Sequence, residues 1–159
     1  MYITYNEYTA LYDPIEEKLF NRLAYDACRE LDRRTTGADG VKKLKVAFPK
    51  DADSAEAVKR CAAQVINMLA QIHEAEKSAS MGRGLIQTEN GLQGKIVQSV
   101  SAGNESITYA TAGSKTAVDA AVANPAEKNS MIYWTIRNYL SGVADANGVN
   151  LLFMGRYPA

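Results

Sequence analysis

The longest regular pattern of apolar and polar positions lies at 53–80. Apolar residues fall at Val58, Cys61, Ala62, Val65, Met68, Leu69, Ile72 and Ala75, the spacing of one stripe on an amphipathic helix. Glu56, Lys59, Arg60, Gln64, Gln71, Glu74 and Lys77 occupy the other face, and no Gly or Pro interrupts the run. Asp53 with Glu56 three positions on has the form of a capping box. At 1.5 Å per residue such a helix is about 40 Å long, a spine that cannot bury its stripe alone. A second stripe, Ile15, Leu19, Phe20, Leu23, Ala24, Ala27 and Leu31, predicts a helix over 14–35. Asp13 serves as its cap, Pro14 as N1, Glu16 as the box partner and Gly37 as the C′ stop. A third stripe predicts a helix over 125–141, with Met131, Ile132, Thr135, Ile136, Tyr139 and Leu140, and with Trp134 beside them. Asn124, Pro125 and Glu127 start it and Gly142 stops it. Thr116–Ala123 reads as a short alanine-rich helix.

The remaining stretches are less regular. Tyr2, Tyr5, Tyr8 and Tyr12 crowd the first dozen residues, where Asn6 is placed to cap a short helix through Leu11. These rings either cover one end of a core or meet a partner, since Tyr is favoured at interfaces. Residues 41–48, VKKLKVAF, fit a short helix (Val41, Leu44 and Phe48 on one side) or an extended strand (Leu44, Val46 and Phe48 alternating). Lys42, Lys43, Lys45 and Lys50 make this stretch basic: a solvated connector face, or a patch facing DNA or an acidic partner. Residues 81–94 carry Gly82, Gly84, Gly91 and Gly94 without helical period, a loop signal. Ile96, Val97, Val100, Ile107, Thr108 and Tyr109 around Ala102-Gly103-Asn104 predict a β-hairpin. Two isolated strands are marginal in water, so this hairpin must lean on helices or on another chain. Finally, Leu151, Leu152 and Phe153 lie close to the last residue, after the turn signal Asn147-Gly148. They either return to the domain's own core or form an arm that inserts into a neighbour.

The fold expected is therefore mainly α: a small bundle of about three to four helices, with a protruding hairpin or long loop at about 94–111 and an extended C-terminal arm. The boundaries are a helical domain over 1–142, carrying the insertion at 82–113, and an arm over 143–159.

Composition narrows the function. Of 159 residues 47% are hydrophobic, enough for a core, and 18 Lys plus Arg balance 18 Asp plus Glu. Phosphate binding usually brings a basic excess, so neutrality weighs against a dedicated DNA-binding protein. No leader pattern or apolar run of membrane-spanning length is seen, and Cys28 and Cys61 read as reduced core thiols. Chemistry is scarce. His73 is the single histidine and has neither a second His nor a nearby Cys to make a zinc site, nor a positioned partner for acid–base work. Gly82-Arg83-Gly84 is not a phosphate loop, and Asp145-Ala146-Asn147-Gly148 lacks the downstream Glu of a calcium loop. No enzyme activity, metal or cofactor is expected.

The order of parts adds a resemblance. Four stretches carry it: Tyr5-Asn6-Glu7-Tyr8 through Leu31-Asp32-Arg33-Arg34-Thr35-Thr36; Gly40-Val41-Lys42-Lys43-Leu44-Lys45-Val46-Ala47-Phe48-Pro49; Gly94-Lys95-Ile96-Val97 through Ile107-Thr108-Tyr109; and Tyr139-Leu140-Ser141-Gly142 leading to Leu151-Leu152-Phe153-Met154-Gly155. Together the chain resembles the head–tail connector (head-completion adaptor) proteins of long-tailed phages and prophages. The resemblance implies a structural protein of the virion neck, made in the host cytoplasm and assembled as a ring of about a dozen copies under the portal. Its partners would be the portal protein, neighbouring copies, the next neck or tail-completion protein, and double-stranded DNA sliding past without sequence-specific binding. No membrane is involved. On that reading Ile96, Val100, Ile107 and Tyr109 of the hairpin and Leu151, Leu152, Phe153 and Tyr157 of the arm carry the interfaces. Lys42, Lys43 and Lys45 form the DNA- or partner-facing patch. A small helical nucleic-acid-binding protein, or another virion or tail assembly protein, is the alternative.

Overall fold

The computed structural model describes residues 1–77 and 116–158 with their side chains; between them it describes the backbone of 78–82, 86–88, 91–93, 99–102 and 105–108. Its helices are α1 (Tyr5–Thr9), α2 (Glu17–Thr35), α3 (Lys43–Val46), α4 (Ala52–Gly82), α5 (Ala117–Ala123) and α6 (Pro125–Leu140). The chain is mainly helical. Among the described residues, the short strands β1 (Ile86–Thr88), β2 (Gly91–Gln93), β3 (Ser99–Ala102) and β4 (Glu105–Thr108) pair antiparallel as β1–β2 and β3–β4.

The spine is α4, and it is more deeply placed than its stripe suggests. Val58, Cys61, Ala62, Val65, Met68, Leu69 and Ile72 are buried as the period requires, but so are Ala63, Ile66 and Ala70. The reason is that α2 packs on one flank of α4 while α5 and α6 pack on another. A helix covered from two sides needs a broader apolar surface than a one-sided stripe. Gln64, assigned to the polar face, is half-buried and accepts a hydrogen bond from the Tyr12 hydroxyl. Tyr8 and Phe20 are almost fully buried with their rings 5.4 Å apart, so the tyrosine-rich start closes one end of the core.

Helix starts differ from expectation in instructive ways. The spine is capped by Asp51, whose carboxylate accepts from the Ser54 N–H at 2.9 Å, and not by Asp53. Glu56 instead pairs with Arg60 at 2.7 Å. The capping box of α1 is built by Thr4 and Glu7 rather than Asn6. Helix α2 begins at Glu17 with no side-chain cap, so Asp13, Pro14 and Glu16 lie in the connection before it. The carbonyl of Ile15 is held there by the Tyr5 hydroxyl at 2.7 Å. At the other end Gly37 is not the stop. Thr36 turns the chain extended and bridges to Lys42, while the Thr35 and Thr36 hydroxyls bond back to the carbonyls of Leu31 and Asp32. The start of α6 is as expected, with the Asn124 side chain accepting from Ala126 N–H and Pro125 at the first position. Gly142 ends it with φ of +78°, a conformation other residues rarely adopt.

The ambiguity at 41–48 resolves as a helical turn, α3. The C-terminal segment is not an extended arm: Leu151 is completely buried in the domain's own core, with Leu152 packed against it. Of the hairpin interface residues, Val100 and Ile107 face each other in the β3–β4 register. Ile96 and Tyr109 lie outside the described residues.

Candidate functional site: an arginine-rimmed groove beside a clasped C-terminal segment

The site is built from three pieces of chain brought together by the core. These are the last turn of α2, the Gly37–Val46 connection with α3, and residues 143–157. Their anchor is Lys43. Both readings of this basic stretch, a solvated face or a patch facing DNA or a partner, put Lys43 at the surface, and the structure overturns that: Lys43 is 0% exposed, while Lys42 and Lys45 remain at the surface. Its side chain points inward because α3 is a single turn with Leu44 and Ala47 packed beneath it. The Lys43 ammonium donates to the carbonyls of Asn150 and Leu151 at 3.1 Å each and to the carbonyl of Phe153. The Phe153 ring lies 5.6 Å from the nitrogen, completing the enclosure. Burial pushes the Lys43 pKa down, partly opposed by the carboxylates of Asp145 and Asp39.

A second set of bonds ties the same segment further along. Asp145 is buried; one oxygen accepts from the N–H groups of Asn147 and Val149, both at 2.9 Å, and the other from the Tyr157 hydroxyl at 2.6 Å. The stretch dismissed as a calcium loop is thus an Asx turn that seats Tyr157. The Asp39 carboxylate accepts from the Tyr157 N–H at 2.8 Å, which holds its pKa below the usual carboxylate range. Ala38 N–H donates to the Gly155 carbonyl at 3.2 Å. Gly37 permits that approach, since a Cβ there would sit 2.9 Å from the Gly155 oxygen.

Of the four interface residues assigned to the arm, Leu151 is core, Leu152 and Tyr157 are half-buried and engaged, and Phe153 is half exposed. The clasp therefore removes most of the apolar surface an inserting arm would use. What remains beside it is a groove of about 600 Å³ between the end of α2, the end of α6 and the clasped segment. Ile136 and Leu152 line it with Met154, which is 62% exposed, and Arg33, Arg34 and Arg137 stand around them. The guanidinium groups are held by ring contacts: Arg34 over Tyr133 at 5.2 Å and Arg137 over the exposed Trp134 at 5.5 Å. Arg137 also donates to the Tyr133 hydroxyl at 2.9 Å.

Among the described residues Glu30 is the carboxylate that answers these charges, at 2.6 Å from Arg33 and 3.9 Å from Arg34, and the Arg34 Nε is buried without a hydrogen-bond partner there. A second hollow on the far side of Arg33 adds Arg29, Lys42 and Lys45 around Asp32, which Lys45 approaches to 3.3 Å. Reading the chain missed this cluster. Arg33-Arg34 and Arg137 are ordinary polar-face residues in their own helices, and only the packing of α6 against α2 brings them together.

The thiols show no reactive character: burial raises the Cys28 pKa and pushes Cys61 up to about 12. Among the described residues no group of three or more His, Cys, Asp or Glu is placed to hold a metal ion, and no helix is long and apolar enough to cross a membrane. No family model, curated protein or solved structure matches the chain.

Proposed function

We propose that the protein is a structural subunit of a phage or prophage neck, forming a ring that docks under the portal, extends the DNA channel and joins head to tail. The observation that carries this reading is spatial. Two stretches that bear the connector resemblance and lie close in sequence, Leu31–Thr36 and Gly40–Pro49, form one unit with a third, Leu151–Gly155, more than a hundred positions away. Lys43 of the second donates to carbonyls of the third, and Arg33 and Arg34 of the first overlook the groove beside them. A surface assembled from parts of low chemical reactivity, with exposed Trp134, Phe153 and Met154 around it, suits a protein whose work is contact. The β3–β4 strands, whose outer edges pair with no other strand among the described residues, suit strand pairing with another chain. The partners on this reading are the portal, neighbouring copies, the next neck or tail-completion protein and passing duplex DNA.

The alternative of a nucleic-acid-binding protein keeps less of its expected surface: Lys42 and Lys50 are exposed, but Lys43, Lys45, Lys59 and Arg60 are engaged. Lys43 is buried, Lys45 faces Asp32, Lys59 is held by Glu7 at 2.6 Å and Arg60 by Glu56. The test is to mix the protein with the portal ring encoded in the same gene neighbourhood and image the mixture by electron microscopy. A second ring stacked on the portal is expected. Bare portal rings, with the protein shown to be folded by circular dichroism, would sink the connector role.

A further inference from the structure

The zero net charge conceals a strong separation of charge along α2. Among the described residues, Arg29, Arg33 and Arg34 at its C-terminal end and, from neighbouring elements, Lys42, Lys45 and Arg137 are accompanied in these two hollows by the carboxylates of Glu30 and Asp32 alone. At its N-terminal end the connection from α1 exposes Asp13, Glu16 and Glu17, none of which makes an ion pair among the described residues. Lys18 and Arg22 follow on α2, but residues 11–17 themselves carry no positive charge. The same stretch presents Leu11, 39% exposed, beside these carboxylates. The two ends are about 25 Å apart along the helix, well beyond the screening length of about 10 Å in ordinary buffer, so neither neutralises the other within one copy.

We propose that the acidic tip formed by residues 11–17 of one copy seats in the arginine-rimmed groove of the next. The proposal rests on the ring reading and names the contact that would build it. The fit is chemical on both counts. Carboxylates meet guanidinium groups already oriented by Tyr133 and Trp134, and an exposed leucine meets a wall of Ile136, Leu152 and Met154. Tip and groove are different surfaces of one chain, so the contact is heterologous, and repetition closes a ring or runs into a filament. Duplex DNA fits the groove poorly. The groove is a concave hollow of about 600 Å³, the size of a few side chains, and a phosphate backbone would meet its arginines but leave Ile136, Leu152 and Met154 without an apolar partner.

Charge reversal tests the contact. One variant carries Arg33→Glu with Arg137→Glu; the other carries Glu16→Lys with Glu17→Lys. All four side chains are surface groups, and circular dichroism checks each fold. By sedimentation velocity at low salt, wild type is expected to self-associate, and each variant alone to do so at least about tenfold more weakly. An equimolar mixture of the two is expected to recover association, because every tip then meets a groove of opposite sign. Variants that associate like wild type would overturn the proposal. So would a mixture that stays monomeric, or wild type with no association and no concentration-dependent amide shifts at Asp13, Ile15, Glu16, Glu17, Arg33 and Arg34 near millimolar concentration. Saturation of the groove by a short DNA duplex, with a steep salt slope and no self-association, would assign it to phosphate instead and equally overturn it. The portal experiment separates the two readings. Self-association without portal docking sinks only the connector role, whereas portal docking of copies that do not contact each other through this groove sinks only the contact.

Discussion

Replacing Lys43 by Met removes the ammonium while keeping much of the buried stem, and it tests whether the C-terminal segment is held from within. Three carbonyls lose a donor. Asn150 O keeps the Phe153 N–H at 3.1 Å, so it stays satisfied. The carbonyls of Leu151 and Phe153 have Lys43 as the donor that reaches them, and each buried acceptor left without a partner costs about 1–3 kcal/mol. Two opposing effects reduce the total: the variant no longer desolvates an ammonium, and water reaches the Phe153 carbonyl past its half-exposed ring. The expected net loss is about 2–3 kcal/mol, which for a domain of this size lowers Tm by about 4–12 °C. Thermal unfolding followed by circular dichroism measures that shift. Hydrogen exchange adds the local readout, with faster exchange expected at the amides of Leu151, Phe153 and Tyr157. Lys45→Met is the control, since Lys45 is exposed and its pair with Asp32 contributes at most about 1 kcal/mol. A Lys43→Met protein as stable as wild type, with unchanged exchange over 150–157, would refute the claim that this lysine clamps the segment.

Leu151→Ala should destabilise the fold by about 3 kcal/mol in denaturant titration, because Leu151 is fully buried, while Phe153→Ala should cost less than about 1 kcal/mol; equal effects would contradict the placement of the segment. Gly37→Ala should cost about 1–3 kcal/mol and speed exchange at Ala38, since the added Cβ meets backbone at Gly155 that has little room to retreat. Acid titration should show stability lost as pH falls from about 4.5 towards 2. Lys59 and then the Thr4 N–H hold Glu7 down to about 2, so the folded state binds fewer protons than the unfolded chain in that window. The loss attributable to Glu7, read as the difference from Glu7→Gln, should stay below about 1 kcal/mol because the pair is more than a third exposed.

Much of the helical framework is legible from local pattern alone. The stripes around Val58–Ile72, Phe20–Leu31 and Ile132–Leu140 follow from the 3.6-residue period, and Asn124-Pro125 and Gly142 mark boundaries by their own backbone chemistry. Caps were less secure because several adjacent residues can serve. Asp51 and Asp53 are equally good caps on paper, and the choice between them depends on where the preceding chain runs, which is a matter of packing. Lys43 was misread for a related reason. A lysine in a basic run is normally solvated, and its burial becomes favourable only when three carbonyls from residues more than a hundred positions away converge on it. The same holds for the groove. Arg33, Arg34 and Arg137 each sit on a polar face, and no period or spacing within one helix links α2 to α6. What the chain determines by itself is which residues form helices and which faces seek burial, since those are set by neighbours three and four positions apart. What only the tertiary structure decided is that the C-terminal segment is clasped rather than free, and that the arginines share one groove. Both depend on contacts between distant segments, whose geometry is set once the core has closed.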